Sequence, residues 1–294
     1  MLKRPHFAYL SEALAGAQVR LASGSPLFHT GEGGGAVSLN TDRSIFPHVL
    51  AHREWHFADM ERIATALPDQ PHHLIDIGAN SGLFTRQALI NFDNVASATC
   101  FEPSPENIGH LESNVAALPA RVCGFGLGAE DGTLTFYRDT MNGGNYSFIA
   151  SAVEGRPFDT IEAPIRRISP DLLSRMAPEG ARANPFFWKS DTQGMDETLM
   201  SSLPLEFWAR VNIAMFEAWR IDKPDYDRAA FRAVLENFPH IYFKGARRSV
   251  LRESTVDAVL DFLDGTDRKW GDVCVTRHPV DFDAPLKSQA EAAG

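Results

Sequence analysis

Apolar and polar positions alternate along the chain in a way that predicts strands and helices in turn. Short apolar runs, typical of strands buried on both faces, lie at residues 74–77, 98–102, 121–127, 186–194, 211–219, 241–244 and 273–276. Amphipathic stretches follow several of them, with apolar residues three or four positions apart, as in Ile108, Leu111 and Val115. We therefore predict an α/β fold with a doubly wound, mainly parallel sheet of seven strands.

The same pattern divides the chain into an N-terminal helical extension with a glycine-rich loop, an α/β domain and a polar tail, at residues 1–70, 71–280 and 281–294. In the extension, helices are expected over Tyr9–Leu21 and His48–Leu67, the second ended by Pro68. Segments 134–139 and 161–168 alternate between apolar and polar residues. This alternation predicts inserted edge strands beside the main sheet.

The stretch from His73 to Phe84 contains the most informative turn of the chain. An apolar strand that includes Asp76 runs into the small residues Gly78, Ala79, Asn80, Ser81 and Gly82, and then into a helix. Small residues let a ligand approach the backbone, and the first amides of the helix face that ligand. Burying the Asp76 carboxylate without a partner is costly. Together these features indicate the nucleotide-type crevice of an open α/β sheet.

A second acidic residue, Glu102, ends the next buried strand at the same predicted edge. A carboxylate at this place can accept hydrogen bonds from both ribose hydroxyls of an adenosine. Ser104 and Pro105 follow it and predict the start of a helix, with Ser104 as the N-cap. Because Glu102 comes one βα unit after the Asp76 turn, we interpret it as a ligand residue.

The turn does not fit other nucleotide motifs. A dinucleotide fingerprint requires glycine at three positions that here read Gly78, Asn80 and Leu83. The sequence also lacks the glycine-rich lysine motif that cradles nucleotide phosphates. A nicotinamide-dependent reductase is therefore disfavoured. From this stretch alone, the alternative to a ligand-binding turn is a tight turn that binds no ligand.

Composition adds limits on the partners and on the compartment. The formal net charge of −10 and the absence of long basic runs argue against a nucleic-acid partner. No apolar run approaches membrane-spanning length, and no signal-peptide pattern follows Lys3 and Arg4. Cys100, Cys123 and Cys274 lie far apart in apolar segments, which predicts buried free thiols. We expect a cytoplasmic protein.

Three histidines in the extension raise the question of a metal site. His48, His52 and His56 recur at intervals of four residues, so they share one face of the predicted helix. We favour a polar helix face, because no carboxylate cluster is tied to them in the sequence, and we predict no metal site. This face could also border a substrate pocket.

Six segments occur in the order and spacing of the FkbM family of methyltransferases: DIGANSG (76–82), FEPSPEN (101–107), LGAEDGTLTFY (127–137), RRIS (166–169), WKSDTQGMDETL (188–199) and MFEAW (215–219). The sequence resembles this family over residues 70–220. The resemblance implies a Rossmann-like class I fold, S-adenosylmethionine as cofactor and methyl transfer to a hydroxyl. The chain departs from the family pattern at Ser190, where an aliphatic residue is usual, and at Trp219.

The resemblance also implies roles for individual residues. It implies a methyl-donor site made of Asp76, Gly78, Ala79, Asn80, Ser81, Gly82, Phe84, Glu102, Pro103 and Gly126. Asp191, Glu217 and Lys189 are the catalytic candidates, with Asp191 or Glu217 as the base that removes the hydroxyl proton. Gln193, Trp219 and Asn145 are expected to contact the acceptor. A histidine from the N-terminal segment is the second candidate for the base.

The sequence thus leads to a functional hypothesis with alternatives. We expect an S-adenosylmethionine-dependent O-methyltransferase whose partner is a sugar, a glycan or a related small molecule. An N-methyltransferase of a macromolecule is one alternative; residues 190–193 lack the Asn/Asp-Pro-Pro-aromatic element expected for base amines. A binding module that retains the donor pocket without turnover is another.

Overall fold

The structure of the protein is a computed structural model that describes residues 18–22, 25–29, 34–40, 42–245 and 250–283. The described strands are β1 (Gln18–Ala22), β2 (Gly34–Ser38), β3 (His72–Ile77), β4 (Val95–Phe101), β5 (Ala120–Cys123), β6 (Gly126–Gly128), β7 (Gly132–Asp139), β8 (Tyr146–Ser147), β9 (Phe158–Arg167), β10 (Phe186–Ser190), β11 (Val211–Arg220), β12 (His240–Gly245), β13 (Arg252–Glu253) and β14 (Lys269–Thr276). The described α-helices are α1 (Ile45–His52), α2 (Phe57–Ala64), α3 (Leu83–Asn91), α4 (Pro105–Val115), α5 (Pro170–Met176), α6 (Asp196–Ser201), α7 (Leu205–Trp208), α8 (Arg228–Glu236) and α9 (Val256–Leu263).

The main sheet has the order β13-β12-β14-β11-β10-β3-β4-β5. Strands β5, β4, β3, β10 and β11 pair in parallel, whereas β14 runs antiparallel to both of its neighbours, β11 and β12. The predicted doubly wound, mainly parallel sheet is confirmed. Across the described ranges, it contains the seven predicted strands and an eighth, the two-residue strand β13, at one edge. Strand order reverses between β3 and β10, so the crevice that binds ligands in such folds lies at their carboxyl ends.

Each face of the main sheet carries its own apolar core. Side chains alternate across the strands, so that Trp188 of β10 packs into one core and Phe187 into the other. Helices α2, α3 and α4 cover the Phe187 face, and α5 to α9 cover the Trp188 face. Burial on both faces explains why these strands read as continuous apolar runs.

The inserted strands differ from the prediction. Strands β6, β7, β8 and β9 form a separate four-stranded sheet of order β6-β9-β7-β8 and do not extend an edge of the main sheet. The predicted third strand, residues 121–127, accordingly splits into β5 in the main sheet and β6 in the small one. The chain leaves the main sheet at Gly124 and Phe125, and residues 126–167 build the small sheet and the segments between its strands.

The N-terminal extension also departs from the prediction. Residues 18–21 of the predicted helix Tyr9–Leu21 belong to β1, which pairs with β2, and residues 9–17 lie outside the described residues. The predicted helix His48–Leu67 is broken into α1 and α2, because Arg53 and His56 adopt left-handed backbone angles. The side chain of Gln87 exchanges two hydrogen bonds with the backbone of Trp55, and this contact fixes the break.

The end of the described chain is anchored to the domain. Phe282 is buried and its ring packs against Tyr242 at a centroid distance of 5.0 Å. The Tyr242 hydroxyl also accepts a hydrogen bond from the Val280 amide. Residues 284–294 of the predicted polar tail lie outside the described residues.

Candidate functional site

The turn between β3 and α3 brings backbone amides to the carboxyl edge of the main sheet. Gly78 has φ +70° and Gly82 has φ +77°, and Asn80 between them also has a positive φ. A Cβ on Gly78 would lie 2.0 Å from the carbonyl oxygen of Asp191, so only glycine fits between the ends of β3 and β10. The tight turn predicted from the sequence is therefore required by the approach of these two strands.

Glu102 follows β4 and is 3% exposed. Its Oε2 accepts a hydrogen bond from the Asn80 amide at 2.8 Å, and its Oε1 accepts from the Ser104 amide at 2.8 Å and from Asn107 Nδ2 at 3.4 Å. Burial nevertheless raises the pKa of Glu102 to about 7. Oε2 keeps a lone pair for a further donor, and Oε1 can accept from a ligand in place of the long bond from Asn107, so this side chain is held in place for a ligand that offers hydroxyl groups.

A cavity of about 300 Å³ opens along this edge of the sheet. Eight of the ten predicted donor-site residues line it: Gly78, Ala79, Asn80, Ser81, Phe84, Glu102, Pro103 and Gly126. We call this half of the cavity the donor end. Asn107, to which the sequence analysis gave no role, also lines it and fixes Glu102. Asn107 lies in the first turn of α4, five residues after Glu102, and this closeness in sequence could have identified it.

Two predicted donor-site residues do not line the cavity. Asp76 is fully buried behind the turn, where Oδ2 accepts a hydrogen bond from Thr85 Oγ1 at 2.6 Å and Oδ1 pairs with Lys189 Nζ at 2.9 Å. Gly82 faces α4 instead, since a Cβ there would lie 2.4 Å from Leu111 Cδ1. The structure therefore gives both residues a supporting position in place of ligand contact.

Ser104 occupies the predicted N-cap position of α4, but its hydroxyl does not cap the helix. Ser104 Oγ is buried without a hydrogen-bond partner among the described residues. The Glu102 carboxylate accepts from the Ser104 amide instead. The same carboxylate thus stabilises the entry to α4 and faces the cavity.

Lys189 lies at the cavity wall, but its ammonium is directed to the turn. Lys189 Nζ donates to the Gly78 carbonyl at 2.8 Å and pairs with Asp76. Burial acts to lower the pKa of Lys189, but the charges of Asp76 and Asp191 outweigh it and raise the pKa. This side chain stays charged and ties β10 to the glycine turn.

Asp191 and Glu217 come together at the opposite half of the cavity, which we call the acceptor end. Gln193 Nε2 donates to Asp191 Oδ1 at 2.5 Å and to Glu217 Oε2 at 2.7 Å, and Trp219 Nε1 donates to the same Glu217 oxygen at 2.5 Å. Burial, followed by the charges of Asp191 and Asp272, raises the pKa of Glu217 well above its usual range. This shift favours the protonated form of Glu217 beside the second carboxyl group, that of Asp191.

The acceptor end has further residues that the sequence analysis did not assign. Lys244 Nζ lies 3.1 Å from Asp59 Oδ2 and 2.8 Å from Asp272 Oδ2, and all three side chains line the cavity with Trp270. Asp272 stands directly opposite Glu217 in the pairing of β11 with β14. Trp270 and Asp272 are two positions apart in β14, and this spacing predicts that their side chains lie on the same face of the sheet.

Loop 141–148 reaches over the cavity between its two halves. Asn80 Nδ2 donates to the Gly143 carbonyl at 2.6 Å, and Ser147 Oγ donates to the Gln193 carbonyl at 2.9 Å. Asn145, a predicted acceptor-site residue, lines the cavity and is 2% exposed. Gln193 and Trp219, the other two, also line it. The structure thus brings the predicted catalytic and acceptor residues to one place.

The histidines of the extension lie at the rim of the acceptor end. The ring of His48 lies 4.5 Å from that of His52 and 6.1 Å from that of His56, between centroids, and His48 Nε2 is 3.0 Å from Glu54 Oε1. Only His56 of the three lines the cavity. Within the described part of the chain, no group of three or more His, Cys, Asp or Glu is arranged to hold a metal ion.

Two further expectations concern the chain as a whole. Cys100, Cys123 and Cys274 are buried and free, as predicted. Among the residues that the structure describes, no helix combines the length and apolarity needed to span a membrane.

Comparison with known proteins gives structural similarity alone. No protein-family profile matches the sequence, and no curated protein matches it. Among solved structures, it is similar to the methyltransferase FkbM from Methylobacillus flagellatus KT, with 12% identity and a TM-score of 0.37 over 70% of this chain and 43% of that chain. It therefore spans less than half the length of that structure.

Two other solved structures show the same level of similarity. A SAM-dependent methyltransferase from Agrobacterium tumefaciens has 10% identity and a TM-score of 0.40, over 88% of this chain and 70% of that chain. Precorrin-6y C5,15-methyltransferase from Geobacter metallireducens GS-15 has 11% identity and a TM-score of 0.29, over 73% of this chain and 86% of that chain. At these values the function must be argued from the site itself.

Proposed function

We propose that this protein is an S-adenosylmethionine-dependent O-methyltransferase that acts on a hydroxyl group of a sugar, a glycan or a related small molecule. The observation that carries the proposal is the buried Glu102 at the donor end of the cavity. Its two oxygens are positioned by Asn80, Ser104 and Asn107, and its carboxylate is suited to the two hydroxyls of a ribose.

The residues present at the donor end fit this cofactor. Gly126 lies beside the aromatic ring of Phe148, since a Cβ on Gly126 would come within 2.6 Å of that ring. Gly126, Phe136 and Phe148 thus line an apolar part of the wall that suits an adenine base. When bound, S-adenosylmethionine supplies a methyl group activated by a sulfonium centre. Lys189 would not repel that centre strongly, because its charge is paired with Asp76.

The acceptor end supplies the groups that methyl transfer to a hydroxyl requires. A hydroxyl is a weak nucleophile at neutral pH, and a base within hydrogen-bond distance accelerates its attack. Asp191 is the carboxylate that we assign to this role, because burial raises the pKa of Glu217 and so favours the protonated form of Glu217, which is a poorer base. Asp191 would accept a hydrogen bond from the acceptor hydroxyl and would take its proton as that hydroxyl is methylated. Gln193 holds both carboxyl groups in place.

The size and chemistry of the cavity favour a small acceptor or the end of a larger one. The cavity volume is within the usual range of small-molecule sites, and its acceptor end combines carboxyl groups with the indoles of Trp219 and Trp270. Positioning the hydroxyl against these fixed groups can contribute about 7–11 kcal/mol to lowering the barrier.

Calorimetry with S-adenosylhomocysteine, the demethylated product, tests the donor site. We expect binding to the unaltered protein, and about a hundredfold or greater loss in Glu102→Ala, because two hydrogen bonds to a charged group are removed. Glu112→Ala is the matched control, since Glu112 is an exposed glutamate on the same helix as Asn107. If Glu102→Ala binds as well as Glu112→Ala, the assignment of Glu102 is wrong.

A second experiment tests the reaction. Purified protein is incubated with methyl-labelled S-adenosylmethionine and a panel of sugars, nucleotide sugars and glycans, and RNA is included as a separate sample. We expect label on a hydroxyl oxygen of a small molecule or glycan. Label on RNA or on a nitrogen atom would contradict the proposed acceptor while leaving the donor site intact.

A further inference from the structure

The acceptor end carries an excess of negative charge. Three aspartates, Asp59, Asp191 and Asp272, line it, and the cation nearest to them is Lys244. Lys244 lies between Asp59 and Asp272, so its single charge is shared by two carboxylates. Lys189 and Arg156 also line the cavity, but each already pairs with another aspartate, Asp76 and Asp139 respectively, and the Lys189 charge also acts on Asp191. Negative charge at this end therefore exceeds the positive charge that is free to balance it.

The pairing of β11 with β14 places two acidic residues directly opposite each other, which is unusual in a sheet. Glu217 lies opposite Asp272, and Trp219 lies opposite Trp270, so two acidic residues stand beside two indoles on neighbouring strands. Acidic residues directly opposite each other destabilise a strand pair. Lys244 stands opposite Asp272 on the other side of β14 and offsets part of the cost, and a bound cation would offset more of it.

The hydrogen-bonding groups of this wall are mostly acceptors. The amide donors of Gln193 are used by Asp191 and Glu217, and Trp219 Nε1 is used by Glu217. Asn145 Nδ2 is held by Asp139 and by the Ala152 carbonyl, so it offers the cavity no free donor. A molecule that brings donors fits this wall, and an anion does not.

An indole is available for a cation in the same place. Trp270 is 39% exposed, lines the cavity, and has no ring or cation contact in the described part of the chain. Trp219 differs, because the guanidinium of Arg268 lies 5.9 Å from its ring centroid. An ammonium group over the face of Trp270 would gain a cation–π interaction in addition to its hydrogen bonds with carboxylates.

We infer that the acceptor carries a positively charged amino group, which binds against Trp270 between Asp272 and Glu217 and so directs a neighbouring hydroxyl to Asp191. The inference rests on the proposed methyltransferase function and specifies its substrate class as an amino alcohol or amino sugar. It also implies that phosphorylated and carboxylated acceptors are rejected, because they would meet unpaired carboxylates.

Matched pairs of small molecules test this inference on the full chain saturated with S-adenosylhomocysteine. The pairs differ in one amino or hydroxyl group: D-glucosamine and D-glucose, ethanolamine and ethylene glycol, tyramine and tyrosol. Affinities are measured by calorimetry or by ligand-observed NMR. We expect at least one amine to bind about tenfold or more tightly than its hydroxyl partner, as a charged hydrogen bond predicts.

Three variants locate the effect. Asp272→Asn keeps the shape of the side chain and should abolish most of the preference for the amine, and Trp270→Ala should weaken amine binding while leaving the hydroxyl partner less affected. Asp261→Asn, on the exposed face of α9, is the control and should change neither. Retained binding of S-adenosylhomocysteine in all three shows that each variant is folded.

The outcomes separate this inference from the function on which it depends. If the unaltered protein does not bind S-adenosylhomocysteine, the proposed function fails. If it binds S-adenosylhomocysteine but no amine binds better than its hydroxyl partner, the inference is wrong and the methyltransferase proposal stands. A preference for amines that survives in Asp272→Asn would also overturn the inference.

Discussion

The two ends of the cavity are built in different ways. The donor end comes mainly from residues 78–107, with Gly126, Phe136 and Phe148 added, and its polar groups are mostly backbone amides and one carboxylate that three protein donors hold in place. The acceptor end is assembled from α2, β11, β12, β14 and the segment after β10, and it concentrates charge that is only partly paired. The donor end is largely a local unit of the chain. The acceptor end depends on contacts between elements that are distant in sequence.

This difference indicates which end determines cofactor binding and which end determines selectivity for the acceptor. A local turn with satisfied groups can hold a constant ligand at low cost, because it is already ordered when the ligand arrives. An end with unmatched charge gains most from a ligand that supplies the missing charge. We therefore expect mutations at the donor end to affect cofactor affinity, and mutations at the acceptor end to affect turnover and choice of acceptor.

The largest expected effect is on turnover in Asp191→Asn. If Asp191 takes the proton from the acceptor, its loss should lower kcat by about 10²–10⁴-fold while S-adenosylhomocysteine affinity stays unchanged. Glu217→Gln is the matched comparison and should cost much less, because it imitates the protonated form of Glu217. Steady-state kinetics with the acceptor identified in the panel measures both. Equal losses in the two variants would contradict the assignment of the base to Asp191.

The next effect concerns the boundary between the two ends, where Lys189 joins β10 to the turn. Lys189→Met should lower the free energy of unfolding by about 3–5 kcal/mol, because it leaves the Asp76 carboxylate buried without its partner. The double variant Lys189→Met with Asp76→Asn should recover part of the loss, since no charge remains unpaired. Urea unfolding followed by circular dichroism gives both values. A stable Lys189→Met protein with reduced kcat would favour a catalytic role for Lys189.

The sequence predicts the donor end well for a physical reason. The glycine turn, Glu102 and the start of α4 follow each other within about one βα unit, and each has a local signal in residue size, charge or proline position. Asp76 and Gly82 are the two predicted residues of this unit that do not line the cavity. Both are required by neighbours across the fold, Lys189 and Leu111, and a linear pattern does not reveal these partners.

The acceptor end could be predicted only in part. Asp191, Gln193 and Glu217 lie at the carboxyl ends of predicted strands, so the edge at which they meet could be inferred. Lys244 and Asp272 were missed, because their contacts depend on the antiparallel register of β14, which strand patterns alone do not fix. The break between α1 and α2 was missed for a similar reason, since it depends on Gln87 of a different helix.

A smaller effect tests how tightly the donor end is packed. Gly82→Ala places a methyl group against Leu111 at a positive φ, so it should destabilise the protein by about 1–3 kcal/mol. Gly109→Ala lies in α4, where no atom is within 4 Å of the added Cβ, and should stabilise the protein by about 0.5–1 kcal/mol. Urea unfolding compares them. If Gly82→Ala is neutral, the packing of α4 on the turn is looser than described.

The smallest effect is a dependence of cofactor affinity on pH that belongs to the donor end alone. Burial raises the pKa of Glu102 to about 7, whereas ribose hydroxyls donate to the ionised form, so binding favours loss of the proton. S-adenosylhomocysteine affinity should therefore rise with pH through about 7, by no more than about tenfold per pH unit, and then level off. Calorimetry in buffers of different ionisation enthalpy should detect the proton released.

Glu102→Gln separates this effect from the titration of other groups. The glutamine keeps an acceptor oxygen but has no carboxyl proton to lose, so its weaker binding should not depend on pH in this range. Asp191→Asn should retain the full dependence, because Asp191 lies at the acceptor end. If the dependence instead disappears in Asp191→Asn and persists in Glu102→Gln, the two ends are electrostatically coupled, and the division of roles between them does not hold.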